Sequence, residues 1–403
     1  RGLNVLCGRH DRSHRTFSAM QPPTAWSGAT QNEARASLAG CGEGRTTGST
    51  KTWVYRFYLA DRNLSELEDL TARRRTVGVS EEMRRCLELA TTPSFIDLPL
   101  DPDNVIVVQQ DQESLETDYS KLNLRTGQST FLFRDTGDLS VDLIDLRDAK
   151  VLTKTRVEPK GNLRYDFETY VLNRETGAFD FEAPLTVDAD NRNSMSVLAY
   201  DEKTGKYFVA TDKFSDKTAI YLYDARTDKF DNEVVFAHPE FNVVDIKLGE
   251  DKSNWGQVLG FVYQGGDDQT YWVDANLRSI QSGLEKTFPG QTVTIQSWTE
   301  DFSKLLFVAD SPRHPPAYYL LINKTKLVGV GSERPWIKPE SMGERTLVYY
   351  DARDGMKIPA FLTLPPGWKK GDAPPPAIVH PHGGPWARDN LGWDTSGWTQ
   401  FLA

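Results

Sequence analysis

Cysteine and long apolar runs are scarce in this chain of 403 residues. Its three cysteines, Cys7, Cys41 and Cys86, have neither the Cys-x-x-Cys spacing of a zinc site nor the pattern of a disulfide framework. We therefore expect no metal site and no cofactor. No stretch reaches the roughly 18 apolar residues of a membrane span, so no membrane partner is expected.

Positive charge is also in deficit. There are 57 acidic against 47 basic residues, for a net charge of -10. An acidic surface repels the phosphates of nucleic acids and of anionic membranes, so we expect neither as a partner. The absence of cysteine after Cys86 fits the cytoplasmic location that we predict, although periplasmic and secreted proteins can share this feature. The composition predicts no oligomeric state.

Residues 1–93 differ in composition from the rest of the chain. They are rich in Arg, Ser, Thr and Gly, as over 42–50, and show little sustained alternation of apolar and polar residues. Such a composition is typical of a disordered or loosely packed extension. The abrupt change near residue 93 equally fits a faulty gene model or a shifted reading frame. Both interpretations stay open.

A repeat of about 50 residues begins after residue 93. Each copy has an apolar strand, then a strand in which Tyr precedes an Asn or Asp by three or four residues. The markers are Asn123, Asn173, Asp224, Asp274 and Asn323, spaced by 50, 51, 50 and 49 residues. A period near 50 built from short strands is typical of a β-propeller with four-stranded blades. We predict a mainly β fold with about five blades over 94–340, in which the markers form turns before the next strand.

The repeat stops near residue 340, and the pattern over 341–403 predicts a different domain. Apolar alternation on either side of Asp354-Gly355 predicts a two-stranded hairpin. A polar loop over 367–376 holds three consecutive prolines, which exclude helix. Residues 377–379 then predict a short buried strand, which opens directly into His380-Pro381-His382-Gly383-Gly384-Pro385.

A buried strand that opens into His-Gly-Gly-Pro is typical of an oxyanion loop. Such a loop presents backbone N–H groups where negative charge develops on a carbonyl oxygen during acyl transfer. Glycine suits this task because the backbone must approach the substrate closely in an unusual conformation. The alternative is an ordinary Gly-Gly-Pro turn at the end of a strand.

Together these features resemble the start of the catalytic domain in the prolyl oligopeptidase family of serine peptidases. The resemblance is to its acylaminoacyl-peptidase and dipeptidyl-peptidase-like branch, and it covers about residues 94–403. Besides the His-Gly-Gly-Pro loop, the matching motifs are Asp354-Gly355-Met356-Lys357-Ile358-Pro359, Leu362-Thr363-Leu364-Pro365 and Trp398-Thr399-Gln400-Phe401-Leu402-Ala403. In that family a β-propeller precedes an α/β-hydrolase domain, so this chain would hold only the first strands of the hydrolase domain.

The resemblance implies that short peptides are hydrolysed through an acyl-enzyme, by a serine that a histidine activates. It places Gly384 in the oxyanion hole, with Gly383 shaping the loop, and it gives His382 and Pro385 the role of positioning that loop. His382 is not expected to be the general base, because the family's base lies near the C-terminus.

The chain departs from the family at the nucleophile. No Gly-x-Ser-x-Gly occurs in the 403 residues, and Ser396-Gly397 has the wrong flanking residues and no strand before it. The acidic and histidine members of the triad would follow the nucleophile in chain order. We therefore expect none of the catalytic triad here and an inactive fragment, truncated at both ends. Five blades would also be fewer than the family's seven or eight.

Two other functions stay open: a non-catalytic propeller that binds a partner, and an esterase or lipase, in which His-Gly-Gly also occurs. The 50-residue repeat argues against the esterase. Trp386, Trp393 and Trp398 either line a substrate cleft or, more simply, pack the first helix of the second domain onto its sheet.

Two polar features elsewhere are interpreted as structural. His238 and His314 border propeller turns, where they are expected to be structural or exposed. The acidic turn 265–268 resembles a calcium loop only superficially, because it lacks a bidentate Glu at the required spacing.

Overall fold

Strands dominate the fold, which confirms the expected mainly β class. The structure, a computed structural model, describes residues 3–4, 14–20, 52–58, 68–69, 94–101, 103–110, 116–136, 139–162, 164–188, 190, 193–383 and 387–403. The chain divides into two compact units, one of Arg1–Val235 and Gly249–Gln257, the other of Phe236–Leu248 and Val258–Ala403.

The first unit is built from four-stranded antiparallel sheets, each formed by four consecutive strands. Short runs of β-branched and aromatic residues between polar turns favour this arrangement. The strands are β1 Leu3–Asn4, β2 His14–Met20, β3 Thr52–Tyr58, β4 Glu68–Asp69, β5 Ser94–Asp97, β6 Asn104–Gln110, β7 Thr117–Asn123, β8 Ser129–Asp135, β9 Ser140–Asp145, β10 Lys150–Gly161, β11 Arg164–Leu172, β12 Phe179–Phe181, β13 Met195–Asp201, β14 Lys206–Thr211, β15 Ala219–Asp224 and β16 Lys229–Phe236. A 3-10 turn, Ala183–Leu185, follows β12.

Strands β1–β4 lie within the segment 1–93, for which the sequence predicts little regular structure. They form one antiparallel sheet, in which β2 pairs along its whole length with β3. The other residues of this segment lie outside the described ranges. Its nature as an extension or as foreign sequence stays a prediction.

The second unit continues the series of sheets and ends in a hairpin. Its elements are β17 Val243–Leu248, β18 Val258–Gln264, β19 Asp268–Trp272, α1 Ala275–Thr287, β20 Thr292–Trp298, β21 Lys304–Asp310, β22 Ala317–Ile322, β23 Lys326–Ser332, a 3-10 turn Pro339–Ser341, β24 Glu344–Asp351, β25 Lys357–Leu364 and α2 Trp398–Leu402. Sheet β17–β19 has three strands, β20–β23 has four, and β24 pairs with β25. Five successive sheets therefore lie between residues 94 and 332, the five blades that the repeat predicts.

The Asn and Asp markers form turns, as predicted. Asn123 Oδ1 accepts hydrogen bonds from two backbone N–H groups, those of residues 125 and 126, and Asn173 Oδ1 does the same with residues 175 and 176. Asp224 Oδ1 accepts from the N–H of Arg226. These bonds stabilise tight turns between neighbouring strands.

Asp274 has a different role, and the strand expected after it is wrong. Its Oδ1 accepts from the Leu277 N–H at 2.8 Å, which makes it the N-cap of α1. Leu277, Ile280 and Leu284 are buried on one face of this helix, at the spacing that an amphipathic helix requires. The helical period of these residues outweighed the strand period of the repeat, so the fourth blade ends in a helix.

The core of the second unit centres on Phe307 of β21, which is fully buried. In the antiparallel register it stands opposite Tyr319 of β22, and the two rings stack with centroids 5.4 Å apart. Phe288, just after α1, contacts Phe307 edge to face at 5.5 Å. These rings tie the helix to the fifth sheet.

The hairpin β24–β25 turns near Asp354-Gly355, as predicted, but the buried strand expected at 377–379 is wrong. These residues form no strand, and Val379 is 90% exposed. An apolar run forms a strand only where a neighbouring strand pairs with its backbone N–H and C=O groups. In the described ranges the hairpin pairs only with itself, and no strand lies beside 377–379.

Glu182, a buried carboxyl in the first unit, is expected to make the stability of that unit depend on pH. The Tyr223 hydroxyl donates to it, and burial raises the pKa of Glu182. A raised carboxyl pKa means that the folded state holds the proton more readily, so stability falls as pH rises through that pKa. We expect Glu182→Gln to show a smaller fall in Tm between pH 4 and pH 8 than the unmodified chain. Calorimetry checks this, with the exposed Glu175→Gln as control; equal falls in all three proteins would contradict it.

Candidate functional site

The His-Gly-Gly-Pro loop is exposed where the structure describes it. His382 lies at the surface, with its Nδ1 2.7 Å from the Gly383 carbonyl oxygen. Because a carbonyl oxygen can only accept, this contact requires a proton on Nδ1. Gly384 and Pro385 lie outside the described residues, so their roles stay predictions.

Within the described residues, no contact requires glycine at position 383. A Cβ at this position would meet no atom within 4 Å, and Gly383 is not among the residues with positive φ. Its role in an oxyanion hole stays a prediction.

The residues that follow the loop are bound to the sheets of the second unit. Residues 388–400 are named the anchor segment below. Arg388 donates from Nη1 and Nη2 to the carbonyl oxygens of Gln264 and Gly265, at 3.1 and 2.7 Å. The Leu391 N–H donates to a carbonyl of the same turn at 2.7 Å. The turn between β18 and β19 therefore holds the first part of the anchor segment.

Two aspartates hold the middle of the anchor segment. The Gly392 N–H donates to Asp267 Oδ1 at 2.5 Å, and the Trp393 N–H donates to Asp310 Oδ2 at 3.2 Å. The second oxygen of Asp267 accepts from Thr292 Oγ1 at 2.8 Å. Asp267 precedes β19 and Asp310 ends β21, so two successive sheets contribute one carboxylate each.

The Asp310 carboxyl has a raised pKa. Burial raises its pKa to about 6, the carboxylates of Asp267 and Glu333 add to the rise, and the hydrogen bond from Trp393 opposes it. A carboxyl with such a pKa is a candidate for a functional role when geometry supports one.

Gln400 fixes the far end of the anchor segment. Its Nε2 donates to the carbonyl oxygens of Pro312 and Gly343, at 2.7 and 3.2 Å, and its Oε1 accepts from the Gly343 N–H at 2.8 Å. Arg334 Nη2 donates to the Thr395 carbonyl oxygen at 2.6 Å. The anchor segment is thus bound along its whole length within the second unit.

Ser396 acts as a turn residue. Its N–H and hydroxyl both donate to Asp394 Oδ1, at 2.9 and 2.6 Å, and the N–H and hydroxyl of Thr399 donate to Asp394 Oδ2 at 2.9 Å. Burial raises the pKa of Asp394, but these four bonds outweigh it and bring the pKa to about 2. No strand leads into Ser396, as expected, so it does not stand at a nucleophile elbow.

Ser311 is a second serine with a hydroxyl near an imidazole, and its geometry is again that of a turn. Its Oγ lies 2.8 Å from His314 Nδ1 and also accepts from two backbone N–H groups of its own turn. The residue is buried. His238 Nδ1 accepts from two backbone N–H groups that follow it. Both histidines are structural, as predicted.

Trp386, Trp393 and Trp398 do not share one environment. Trp393 is buried, with the Arg334 guanidinium 6.0 Å from its ring centroid. Trp398 is more than half exposed and contacts Phe401 edge on. Trp386 lies outside the described residues. Trp393 therefore packs inside the protein and does not line an open cleft.

Metal binding and membrane insertion find no support within the described ranges. There, no three His, Cys, Asp or Glu side chains are grouped closely enough to hold a metal ion. Among the same residues, no helix combines the length and apolar character needed to cross a bilayer.

Asp267, Asp310, Arg388 and Gln400 are not predicted as site residues by the sequence. One signal points to the first of them. Two glycines precede Asp267 in the turn 265–268, and such glycines let another backbone come close. Nothing in the local sequence distinguishes Asp310 from other aspartates that end propeller strands.

Comparison with known proteins gives one curated relative. Dipeptidyl aminopeptidase BIII of Pseudoxanthomonas mexicana is 25% identical over 328 residues, covering 76% of this chain and 43% of that protein. The chain thus spans less than half the length of this relative. No family model matches the chain.

Solved structures of lower identity are similar over most of the chain. A puromycin hydrolase is 14% identical with a TM-score of 0.48, covering 98% of this chain and 65% of that chain. An acylaminoacyl peptidase, solved with Z-Gly-Gly-Phe-chloromethyl ketone, is 10% identical with a TM-score of 0.42, covering 99% of this chain and 63% of that chain.

Proposed function

Because the chain belongs to the prolyl oligopeptidase family, we propose that it carries the propeller and the oxyanion loop of a serine-type peptidase that hydrolyses short peptides. The observation that carries the proposal is the ordered set of motifs from the hairpin to Gln400, behind five propeller blades. In this arrangement the propeller restricts substrates by size.

The proposed chemistry is acyl transfer. A serine oxygen attacks the peptide carbonyl, the carbonyl oxygen takes up the negative charge, and a histidine accepts the serine proton. The Gly384 N–H stabilises that oxygen, and Gly383 shapes the loop. One such donor contributes about 2.7–4 kcal/mol to the transition state. His382 and Pro385 position the loop.

The surroundings of the loop support this role. An oxyanion donor is effective only when it is held in place before the substrate arrives. Arg388 follows Gly384 by four positions and is bound through both terminal nitrogens of its guanidinium group. The loop is therefore attached on its C-terminal side to a fixed part of the second unit.

We expect the 403-residue chain alone to have no peptidase activity, because it contains no Gly-x-Ser-x-Gly nucleophile. A fluorophosphonate probe should label no serine, and aminoacyl- and dipeptidyl-coumarin substrates should be hydrolysed no faster than in buffer. Turnover that a serine-directed inhibitor abolishes would contradict this expectation.

The genomic sequence after codon 403 separates the remaining alternatives. An in-frame continuation with a nucleophile elbow, whose product the probe labels, supports the peptidase. An immediate stop codon favours the non-catalytic propeller module.

A further inference from the structure

We propose that Asp267 and Asp310 are positioning residues: their side chains accept the N–H groups of Gly392 and Trp393 and so hold the anchor segment, which follows the oxyanion loop, and this hold weakens as Asp310 ionises. The part that concerns the oxyanion loop rests on the proposed function. The two hydrogen bonds from Gly392 to Asp267 and from Trp393 to Asp310 are called the seat below, and they lie among the described residues.

The seat is built for a backbone without a side chain. A Cβ on Gly392 would lie 2.9 Å from Asp267 Oδ1 and 2.9 Å from Asp310 Oδ2. Both carboxylate oxygens therefore close on the same Cα, and each accepts one of two successive N–H groups. Both Gly392 and Trp393 are buried, so removal of either acceptor leaves a buried donor unpaired.

Burial and two neighbouring carboxylates disfavour the ionised form of Asp310, whereas the hydrogen bond from Trp393 favours it. Asp267 lies on the turn before β19, Tyr318 is on β22, and Glu333 follows β23. Arg345 of β24 interacts electrostatically with Asp389, Asp394 and Asp267. With the anchor segment in place, an ionised Asp310 is buried near other acidic groups, and we expect its charge to be more stable once release of the segment lets water reach it.

The sign of the pH effect follows from linkage. With the anchor segment seated, burial raises the pKa of Asp310 to about 6, above the ordinary value of 3.8. The seated state therefore binds the proton more readily than the released state, so acid favours the seat and it weakens as pH rises toward 6.

Hydrogen–deuterium exchange of the peptide over 388–400, measured on the full chain and corrected for intrinsic rates, tests the proposal. Asp267→Ala and Asp310→Ala should each speed exchange at least about fivefold at pH 5, since each leaves a buried N–H unpaired. Asp268→Ala removes the same charge at an exposed neighbouring position and should change nothing.

The pH profile separates this role from general destabilisation. In the unmodified chain, protection of 388–400 should fall as pH rises through about 6. Asp310→Asn keeps an acceptor oxygen, so it should preserve protection and abolish the pH dependence. Peptides from β5–β8 serve as the folding control and should exchange equally in all variants.

The proposal is overturned if Asp310→Asn exchanges as fast as Asp310→Ala, if the unmodified profile is flat, or if Asp268→Ala matches Asp267→Ala. None of these outcomes depends on turnover. Failure of the proposed function, seen as an absent nucleophile elbow downstream, would leave the exchange results standing.

Discussion

Phe307→Ala is expected to lower the free energy of unfolding of the second unit by about 3–5 kcal/mol, the usual range for removing a buried phenylalanine. The Phe307 side chain is fully buried. Its ring contacts Phe288 and Tyr319, at 5.5 and 5.4 Å between centroids. The substitution therefore removes apolar contacts and leaves a cavity between α1 and β22.

Urea unfolding of the full chain, compared with Phe401→Ala, measures this effect. Phe401 belongs to the same unit but is 81% exposed, so its truncation should change stability by less than about 0.5 kcal/mol. Equal midpoints for the two variants would show that the aromatic cluster does not carry the stability of this unit.

The repeat could be predicted because its signal is local. A turn needs its Asn or Asp at a fixed distance from the strand that it ends, as Asn123 and Asn173 show with bonds to residues two and three positions ahead. Such patterns recur in the sequence whenever they recur in space. The helix after Asp274 also has local signals. Asp274 is its N-cap, and the buried residues that follow have helical spacing.

The anchor segment could not be predicted, because its contacts join distant parts of the chain. Gly392 and Asp267 are 125 residues apart, and Trp393 and Asp310 are 83 apart. Every residue except proline has a backbone N–H, so the identity of the donating residue does not predict such a hydrogen bond. The error at 377–379 has the same origin, since burial of a strand depends on neighbouring strands that cannot be predicted from its own residues.

The candidate site was therefore predicted in part. His382 and Gly383 mark the loop through their chemistry, and their roles stay predictions. The residues that fix the loop's C-terminal side, Arg388 and Gln400, act through carbonyl groups that every residue possesses. Their side chains become informative only once the fold brings those carbonyls together.

Gly392→Ala is expected to lower the free energy of unfolding by about 2 kcal/mol, within the range for overpacking a tight site. The new methyl group would lie 2.9 Å from Asp267 Oδ1 and from Asp310 Oδ2. Neither oxygen can retreat freely, because each accepts a backbone N–H of the anchor segment. The substitution therefore either displaces the anchor segment or breaks those bonds.

Gly329→Ala is the matched control, since a Cβ there meets no atom within 4 Å and the residue does not have positive φ. It should leave stability within about 0.5 kcal/mol of the unmodified chain. A double-mutant cycle sharpens the test: with Asp310→Ala already present, Gly392→Ala should destabilise less than it does alone, because the methyl group then has room. If the two substitutions lower the free energy of unfolding additively, Gly392 and Asp310 do not interact.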